Sequence, residues 1–139
     1  MNFEDIDILD LLPHRPPFLM VDHLTKYSSS SVETTFLVKE NCILAKGGRL
    51  SACGVIENMA QSSAARIGYY YKYILHQPVQ IGYIGAVNDF KLYRCPEVGE
   101  MLTTRIEVQV EWCNITAFKA TVFDKDNEIV AVADMKTAL

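Results

Sequence analysis

Apolar residues recur along this chain with two different spacings, and the spacing changes from one segment to the next. Over residues 32–38 every second side chain is apolar or threonine, which places those side chains on one face of a β-strand. A run rich in Leu, Val and Thr precedes this segment, and a serine tip at 28–31 separates the two. The pattern predicts a β-hairpin over residues 18–39. Its buried face comprises Val32, Thr34, Phe36 and Val38.

The middle of the chain has helical spacing instead. From Ile56 to Ile74, apolar or small residues recur every three or four positions, which is typical of an α-helix of about five turns. Pro78 lies shortly after this segment and favours the end of the helix. Several small side chains on the helix allow a sheet to pack closely against it, namely Ala60, Ala64, Ala65 and Gly68.

The remaining segments complete an α+β architecture. Residues 6–12 alternate apolar and acidic side chains and predict a short amphipathic helix that Pro13 ends. After the long helix, strand patterns are separated by turn residues. The predicted strands cover residues 79–92, 101–112, 115–124 and 128–136. We therefore predict one domain spanning residues 1–139, in which a curved antiparallel sheet of five or six strands wraps around one long central helix.

Composition narrows the classes of function. The chain has 139 residues, of which 50% are hydrophobic, and its formal net charge is −4. The absence of a Lys/Arg cluster argues against nucleic-acid binding, which needs concentrated positive charge. No stretch resembles a membrane span of about 20 apolar residues, and the acidic N-terminus does not resemble a secretory signal. We therefore expect a soluble cytoplasmic protein with four reduced cysteines and no metal site.

Glu57 is the ionisable residue that is the best candidate for a catalytic role. It is expected in the first turn of the long helix, where the helix dipole alone would favour an acid by about 0.3–1 kcal/mol, so a structural role is the plain alternative. Gln61 lies one turn further on the same face, where its amide can orient the Glu57 carboxyl group. Backbone N–H groups at the helix start, at Gly54 and Val55, are candidates to bind a thioester carbonyl oxygen.

The other reactive side chains favour structural roles. No histidine has a His or Cys partner at metal-ligand spacing. We expect His14 in a hydrogen-bonded turn, His23 at a strand end and His76 at the end of the helix. Cys53 lies near the helix start, a position that favours a nucleophilic thiolate, but a thiol in the core is the preferred interpretation. Four tyrosines near the helix end are interpreted as packing residues, with a subunit interface as one place where they could pack: Tyr69, Tyr70, Tyr71 and Tyr73. A further four residues are assigned to the core although they could line a site: Met59, Ile67, Tyr83 and Phe90.

Two motifs together resemble a known family. One is the segment LLPHRPPFLMVD at residues 11–22, and the other is ENMAQ at residues 57–61. Both occur, in this order and at about this spacing, in the hot-dog-fold 3-hydroxyacyl-[acyl carrier protein] dehydratases, and the likeness extends over nearly the whole chain. Within that family, the chain resembles a divergent branch of dehydratase-like proteins in aryl polyene and related polyketide or fatty-acid pathways.

The resemblance implies a hydro-lyase, or a subunit of one, that acts on acyl thioesters bound to acyl carrier protein. Family members are dimers with active sites at the subunit interface. A histidine of one subunit removes the proton α to the thioester, and a carboxylic acid on the long helix of the other protonates the departing 3-hydroxyl group. Glu57 matches this acid and Gln61 matches a supporting glutamine. The resemblance implies no metal or organic cofactor.

One departure from the family pattern changes the expected assembly. The family carries a Gly-His-Phe-Pro segment before the long helix, whereas residues 41–51 of this chain contain no histidine. We expect a homodimer or a heterodimer with a homologous hot-dog subunit, and we hypothesise that in a heterodimer the homologous partner supplies the histidine. Two alternatives stay open at this point. One is a hot-dog acyl thioesterase in which Glu57 activates water, and the other is a non-catalytic subunit that binds acyl thioesters.

Overall fold

A six-stranded antiparallel sheet packs against one long helix. The structure is a computed structural model that describes residues 2–139. In chain order its main elements are β1 (His23–Tyr27), β2 (Ser31–Leu37), β3 (Ala45–Lys46), β4 (Arg49–Leu50), α1 (Ala52–Tyr69), β5 (Tyr83–Leu92), β6 (Met101–Trp112), β7 (Ile115–Phe123) and β8 (Ile129–Ala138). The strand order is β1-β2-β6-β7-β8-β5, and β3 pairs with β4 separately. The predicted α+β architecture is confirmed.

The predicted hairpin is present and its apolar face is buried. β1 and β2 pair antiparallel, and the tip lies in the serine run, where Ser28 N–H donates to Ser31 O at 2.8 Å. The four side chains predicted to face the core are each at most 5% exposed: Val32, Thr34, Phe36 and Val38. The same face continues onto β6, where Leu102 and Ile106 are buried. The period-two pattern therefore identified the inner layer of the sheet.

The long helix begins earlier than predicted. Ser51 is its N-cap, and its side chain accepts a hydrogen bond from Gly54 N–H at 3.2 Å. α1 therefore starts at Ala52 rather than near Ile56, so Glu57 lies in the second turn and not in the first. The helix dipole is concentrated in the first turn, which weakens the purely structural explanation for this acid. At the other end, Tyr70–Ile74 continues as a π-helical turn.

The prediction of an N-terminal amphipathic helix is wrong. Two short 3₁₀ turns, Phe3–Asp5 and Ile8–Asp10, occupy this region. The Asp7 side chain accepts a hydrogen bond from Leu9 N–H at 3.0 Å, so it caps the second turn locally and the backbone at Asp7 is extended. The apolar side chains are nevertheless buried as the pattern required: Ile6, Ile8, Leu11 and Leu12.

The cysteines are free, and one prediction about them is wrong. Cys53 is exposed rather than buried in the core, because the early start of α1 places it on the outer side of the first turn. Cys113, in the β6–β7 turn, is also exposed.

Within residues 2–139, no helix is both long and apolar enough to cross a membrane.

β5 forms one edge of the sheet and exposes large apolar side chains. It pairs with β8 on one side, and no strand of the described chain pairs with its other side. The exposed apolar residues on β5 or just before it are Ile81, Tyr83, Ile84 and Val87. An edge strand with this composition is suited to pairing with another chain.

Candidate active site

A cavity of about 290 Å³ lies between one face of α1 and the β5 edge of the sheet. The helix contributes Glu57, Ala60, Gln61, Ala64 and Ile67. The opposite wall comes from the start of β5 and the end of β8, and His14 lies at the margin formed by the N-terminal loop. The helical residues are three or four positions apart and share one face of α1. The helix face that carries Glu57 and Gln61 therefore lines a cavity.

Gln61 holds the carboxylate of Glu57. Its Nε2 donates to Glu57 Oε2 at 2.6 Å and to Phe18 O at 2.9 Å, and its Oε1 accepts from Met20 N–H at 2.6 Å. Gln61 is only 1% exposed; its bond to Met20 is buried, and its bonds to Phe18 and Glu57 are partly buried. Because Met20 N–H can only donate, Oε1 must face it and the amide nitrogen must face Glu57. The amide therefore has one possible orientation.

Asn58 extends this hydrogen-bonded connection into the sheet. Its Nδ2 donates to Met20 O at 2.7 Å, and Thr104 Oγ1 on β6 donates to Asn58 Oδ1 at 2.5 Å. Asn58 and Thr104 are both 1% exposed. Buried polar networks of this kind restrict the groups that they join, because each unmade bond is costly. α1, the loop at 18–20 and β6 are thus held in one arrangement around Glu57.

The structure places His14 beside the same cavity as Glu57. Arg15 Nη1 donates to Leu12 O and to His14 O, each at 2.8 Å, which stabilises a turn in this segment. His14 Nδ1 is buried and has no hydrogen-bond partner among residues 2–139. Among those residues, His14 is the one histidine that lines the cavity, since His23 and His76 are exposed elsewhere. The sequence offered no signal for this placement.

The N–H groups of Gly54 and Val55, which were predicted to bind a carbonyl oxygen, are hydrogen-bonded at the start of α1. Gly54 N–H donates to the Ser51 side chain, and Val55 N–H donates to Ser51 O at 3.1 Å. Both residues are buried, and neither lines the cavity. Because α1 starts at Ala52, these two N–H groups are engaged at the helix cap, and their role in binding a carbonyl oxygen stays a prediction.

Two residues that were assigned to the core lie at the site instead. Ile67 and Tyr83 both line the cavity, and Tyr83 is 68% exposed. Met59, in contrast, is fully buried, and Phe90 packs against the core as expected. Helical spacing from Glu57 could have identified Ile67, whereas the placement of Tyr83 depends on the pairing of β5 with β8.

Metal ligands are not grouped in the part of the chain that the structure describes. Over residues 2–139, no cluster of three or more His, Cys, Asp or Glu side chains could hold a metal ion. The polar residues at the cavity include Glu57, Gln61 and His14, which supply a carboxyl group, an amide and an imidazole, and also Gln80 and Thr137. These groups can transfer or orient protons.

The fold that surrounds this site is the hot-dog fold. A chain of the dehydratase heterocomplex ApeI:P from Xenorhabdus doucetiae superposes with a TM-score of 0.87, at 16% identity, over 96% of this chain and 90% of that one. The family model described as ApeP dehydratase matches residues 6–138. The protein therefore belongs to the ApeP-like family of dehydratases.

Curated relatives point in the same direction. The 3-hydroxyacyl-[acyl-carrier-protein] dehydratase FabZ of Pectobacterium atrosepticum is 28% identical over 142 residues, covering 99% of this chain and 92% of that protein. FabZ of Aeromonas hydrophila is 27% identical, covering 95% and 90%. A more distant structural neighbour is zebra fish thioesterase superfamily member 2, with a TM-score of 0.66 at 14% identity over 84% of this chain and 80% of that one.

Proposed function

We propose that this protein is a subunit of a 3-hydroxyacyl-[acyl carrier protein] dehydratase in which Glu57 is the catalytic acid. The observation that carries the proposal is the carboxyl group of Glu57, which lies at a largely apolar cavity and is oriented by the buried amide of Gln61. A positioned acid of this kind can donate a proton to a leaving group. The pathway that we propose is fatty acid, polyketide or aryl polyene biosynthesis, in the cytoplasm.

The proposed reaction converts a 3-hydroxyacyl thioester into a trans-2-enoyl thioester and water. A base removes the proton α to the thioester carbonyl, and the electron pair of that C–H bond forms the new double bond. The C–O bond at carbon 3 breaks, and the carboxylic acid of Glu57 protonates the departing hydroxyl group. Gln61 acts as a positioning residue. Proton exchange with solvent restores both groups, so the step requires no cofactor.

The base in this proposal is a histidine of a partner subunit. Residues 41–51, which precede α1, contain no histidine. The apolar edge strand β5 forms one wall of the cavity and is open to pairing, so a second subunit added there would lie beside Glu57. The similarity to a chain of a dehydratase heterocomplex supports a homologous hot-dog partner, since a second copy of this chain would also lack a histidine in residues 41–51. His14 is the alternative base within this chain.

The decisive experiment measures enoyl-thioester formation from 3-hydroxyacyl-carrier-protein, with and without a histidine-bearing homologous subunit. We expect turnover only in the complex, and Glu57→Gln in this subunit should lower kcat at least about 100-fold, as for loss of a general acid. Glu107→Gln, on the exposed part of β6, is the matched control and should retain activity. Full activity of the Glu57→Gln complex would contradict the proposal.

The other outcomes identify the alternatives. Turnover by this chain alone, abolished by His14→Gln, would assign the base to His14 instead of the partner. Release of a free acid and thiol would indicate a thioesterase. Binding of the acyl thioester without turnover in any combination would indicate a non-catalytic subunit, for which the missing histidine in residues 41–51 is the supporting observation.

A further inference from the structure

Two threonines lie side by side on the buried face of the sheet. Thr34 on β2 pairs directly with Thr104 on β6, and each is at most 1% exposed. Directly opposite residues point to the same face of a sheet, so both hydroxyl groups lie in one layer of the core. The residues two positions away on each strand are apolar and buried: Val32, Phe36, Leu102 and Ile106. A hydroxyl group in such a layer is costly without a hydrogen bond, and both of these form one with α1.

The hydroxyl group of Thr34 connects to the backbone of the helix. Thr34 Oγ1 lies 2.7 Å from Ser62 Oγ, and Ser62 Oγ donates its own hydrogen to Asn58 O at 2.7 Å. A hydroxyl group has one hydrogen to donate, so Thr34 is the donor in the pair with Ser62. This branch of the hydrogen-bonded network therefore joins β2 to α1 and ends at a backbone carbonyl group.

The hydroxyl group of Thr104 connects instead to a side chain that reaches the loop at 18–20. Asn58 Nδ2 donates to Met20 O, which can only accept, so the amide has one possible orientation. Its Oδ1 then faces Thr104, and the Thr104 hydroxyl group must be the donor. If that donor were lost, Oδ1 would be buried without a partner and the amide would no longer be fixed.

Met20 links this branch to the proposed catalytic acid. Its carbonyl oxygen accepts from Asn58 Nδ2 at 2.7 Å, and its N–H donates to Gln61 Oε1 at 2.6 Å. Gln61 Nε2 in turn donates to Glu57 at 2.6 Å. Asn58 thus fixes the position of Met20, and Met20 fixes the position of the Gln61 amide. A continuous path of four hydrogen-bonded contacts leads from Thr104 to the Glu57 carboxyl group.

We infer that Thr104 and Asn58 are positioning residues for proton transfer by Glu57, with Thr104 acting from the sheet. This role rests on the proposed function, because it concerns the same acid. The residues of the described chain that line the cavity do not include Thr104 or Asn58, so neither is a catalytic residue. A displacement of about 1 Å at a reacting group can lower turnover about 100-fold, and contacts behind that group set its position.

The test compares Thr104→Val with Thr34→Val in the complex with a histidine-bearing homologous subunit. Each substitution replaces a buried hydroxyl group with a methyl group of similar size, at neighbouring positions of the sheet, and removes one hydrogen bond to α1. We expect kcat for dehydration to fall about tenfold in Thr104→Val and to change less than about twofold in Thr34→Val. KM for the 3-hydroxyacyl-carrier-protein should stay within about twofold in both, because neither side chain lines the cavity.

A conservative variant separates positioning from stability. Thr104→Ser keeps the donor but removes a buried methyl group, which leaves a small void and lowers the free energy of unfolding. It should nevertheless keep kcat within about twofold of the wild type, whereas Thr104→Val keeps the volume and loses kcat. Urea unfolding measures the stability of each variant. With a purely structural role, kcat would follow the folded fraction and not the hydroxyl group.

A double-mutant cycle tests whether the two residues act along one path. Asn58→Ala removes the contact through which Thr104 would act, and it should lower kcat by itself. In that background, Thr104→Val should lower kcat by less than about twofold, since coupled residues are not additive. Losses that multiply would show that Thr104 acts on turnover by another route and would overturn the inference. If Thr104→Val does not fold, Asn58→Ala against Thr34→Val makes the same comparison.

Hydrogen exchange at the Met20 amide provides a readout that requires no turnover. NMR of the full chain measures it in the wild type and in each variant. We expect exchange at Met20 to be about tenfold faster in Thr104→Val and in Asn58→Ala than in Thr34→Val, because loss of one hydrogen bond makes local opening easier by about this factor. Thr104→Ser should exchange like the wild type.

The outcomes separate the positioning role from the proposed function. Equal losses of kcat in Thr34→Val and Thr104→Val would overturn the positioning role, as would a Thr104→Ser variant that is as impaired as Thr104→Val. Unchanged exchange at Met20 in Thr104→Val, in a complex that dehydrates its substrate, would overturn it and leave the proposed function intact. A wild-type complex without turnover would contradict the proposed function, while faster exchange confined to the Thr104→Val and Asn58→Ala variants would still support the link from β6 to the loop.

Discussion

At the scale of single residues, the amide of Gln61 connects Glu57 to a loop far away in the chain. The side chain bonds to Glu57 on its own helix and to both Phe18 and Met20 in the loop. A glutamine can satisfy all three partners because it presents a donor and an acceptor at the same point. The Gln61 side chain therefore has two roles at once: it stabilises the contact between helix and loop, and it sets the position of the Glu57 carboxyl group.

We expect Gln61→Leu to reduce both stability and turnover. The substitution leaves Met20 N–H buried without a partner, which costs about 1–3 kcal/mol in the free energy of unfolding. It also removes the donor that orients Glu57, so kcat of the complex should fall. Urea unfolding and the dehydration assay measure the two effects. Gln109→Leu, on the exposed part of β6, should change stability by less than about 0.5 kcal/mol. A stable, fully active Gln61→Leu variant would contradict this account.

The sequence predicted part of this site. Helical spacing placed Gln61 one turn after Glu57, and the pairing between their side chains agrees with that spacing. The contacts of Gln61 with Phe18 and Met20 join residues more than 40 positions apart, and no periodic pattern contains such information. The position of His14 at the cavity depends on how the N-terminal loop folds back onto α1, which is also a long-range contact that no periodic pattern predicts. Nothing in the structure tests the catalytic roles of Glu57 and Gln61, which stay predictions.

At the scale of elements, the ends of the helices were harder to predict than their interiors. Residues 52–55 lack the spacing of three and four, so the periodic pattern started late, although Ser51 is a common type of N-cap. In the N-terminal segment the apolar spacing fitted a helix, but a local hydrogen bond from the Asp7 side chain favoured two separate turns. β2, β6, β7 and β8 were predicted closely because one face of the sheet is buried. β5, whose side chains are mostly exposed, begins at Tyr83 rather than at residue 79, and the short strands β3 and β4 were not predicted.

The N-cap of α1 provides a test at this scale. Ser51→Ala removes the hydrogen bond to Gly54 N–H and should lower the free energy of unfolding by about 1 kcal/mol. Thermal and urea denaturation measure the change. Ser51→Asn keeps a capping acceptor and should stay close to the wild type. If Ser51→Ala were as stable as Ser51→Asn, the side-chain cap would contribute nothing to the helix.

At the scale of the whole molecule, one charged cluster connects the ends of three strands. Arg94 follows β5, Glu100 precedes β6 and Asp124 follows β7. Arg94 Nη2 lies 2.6 Å from Glu100 Oε1 and 3.0 Å from Asp124 Oδ2. The hydrogen bond from Arg94 is the main cause that lowers the pKa of Glu100 below its ordinary value of 4.5. The pKa of Asp124 is lowered mainly by the N–H of Glu128 and then by Arg94.

This cluster predicts how stability depends on pH. A carboxyl group with a lowered pKa in the folded state contributes its full stabilisation above its ordinary pKa and loses it as the pH falls through the lowered value. The free energy of unfolding should therefore decrease as the pH is lowered below about 4.5, where the unfolded chain begins to bind the protons. Arg94→Met should make this decrease shallower in urea unfolding measured from neutral to acidic pH. Arg105→Met should keep the wild-type slope, and equal slopes in all three proteins would contradict the assignment.

The bonds from Asn58 and Gln61 to residues 18–20 also have a consequence for how the protein is made. The loop segment leaves the ribosome well before α1 does, so its backbone groups stay hydrated until the helix has been synthesised and docks against them. Closing a chain segment of about 40 residues lowers the entropy of the chain, and the free energy of those contacts and of the surrounding core must offset this loss. A local opening of this segment would leave the sheet folded and Glu57 unsupported. In a sample that is folded by every spectroscopic measure, only a fraction of the molecules would then be competent for proton transfer.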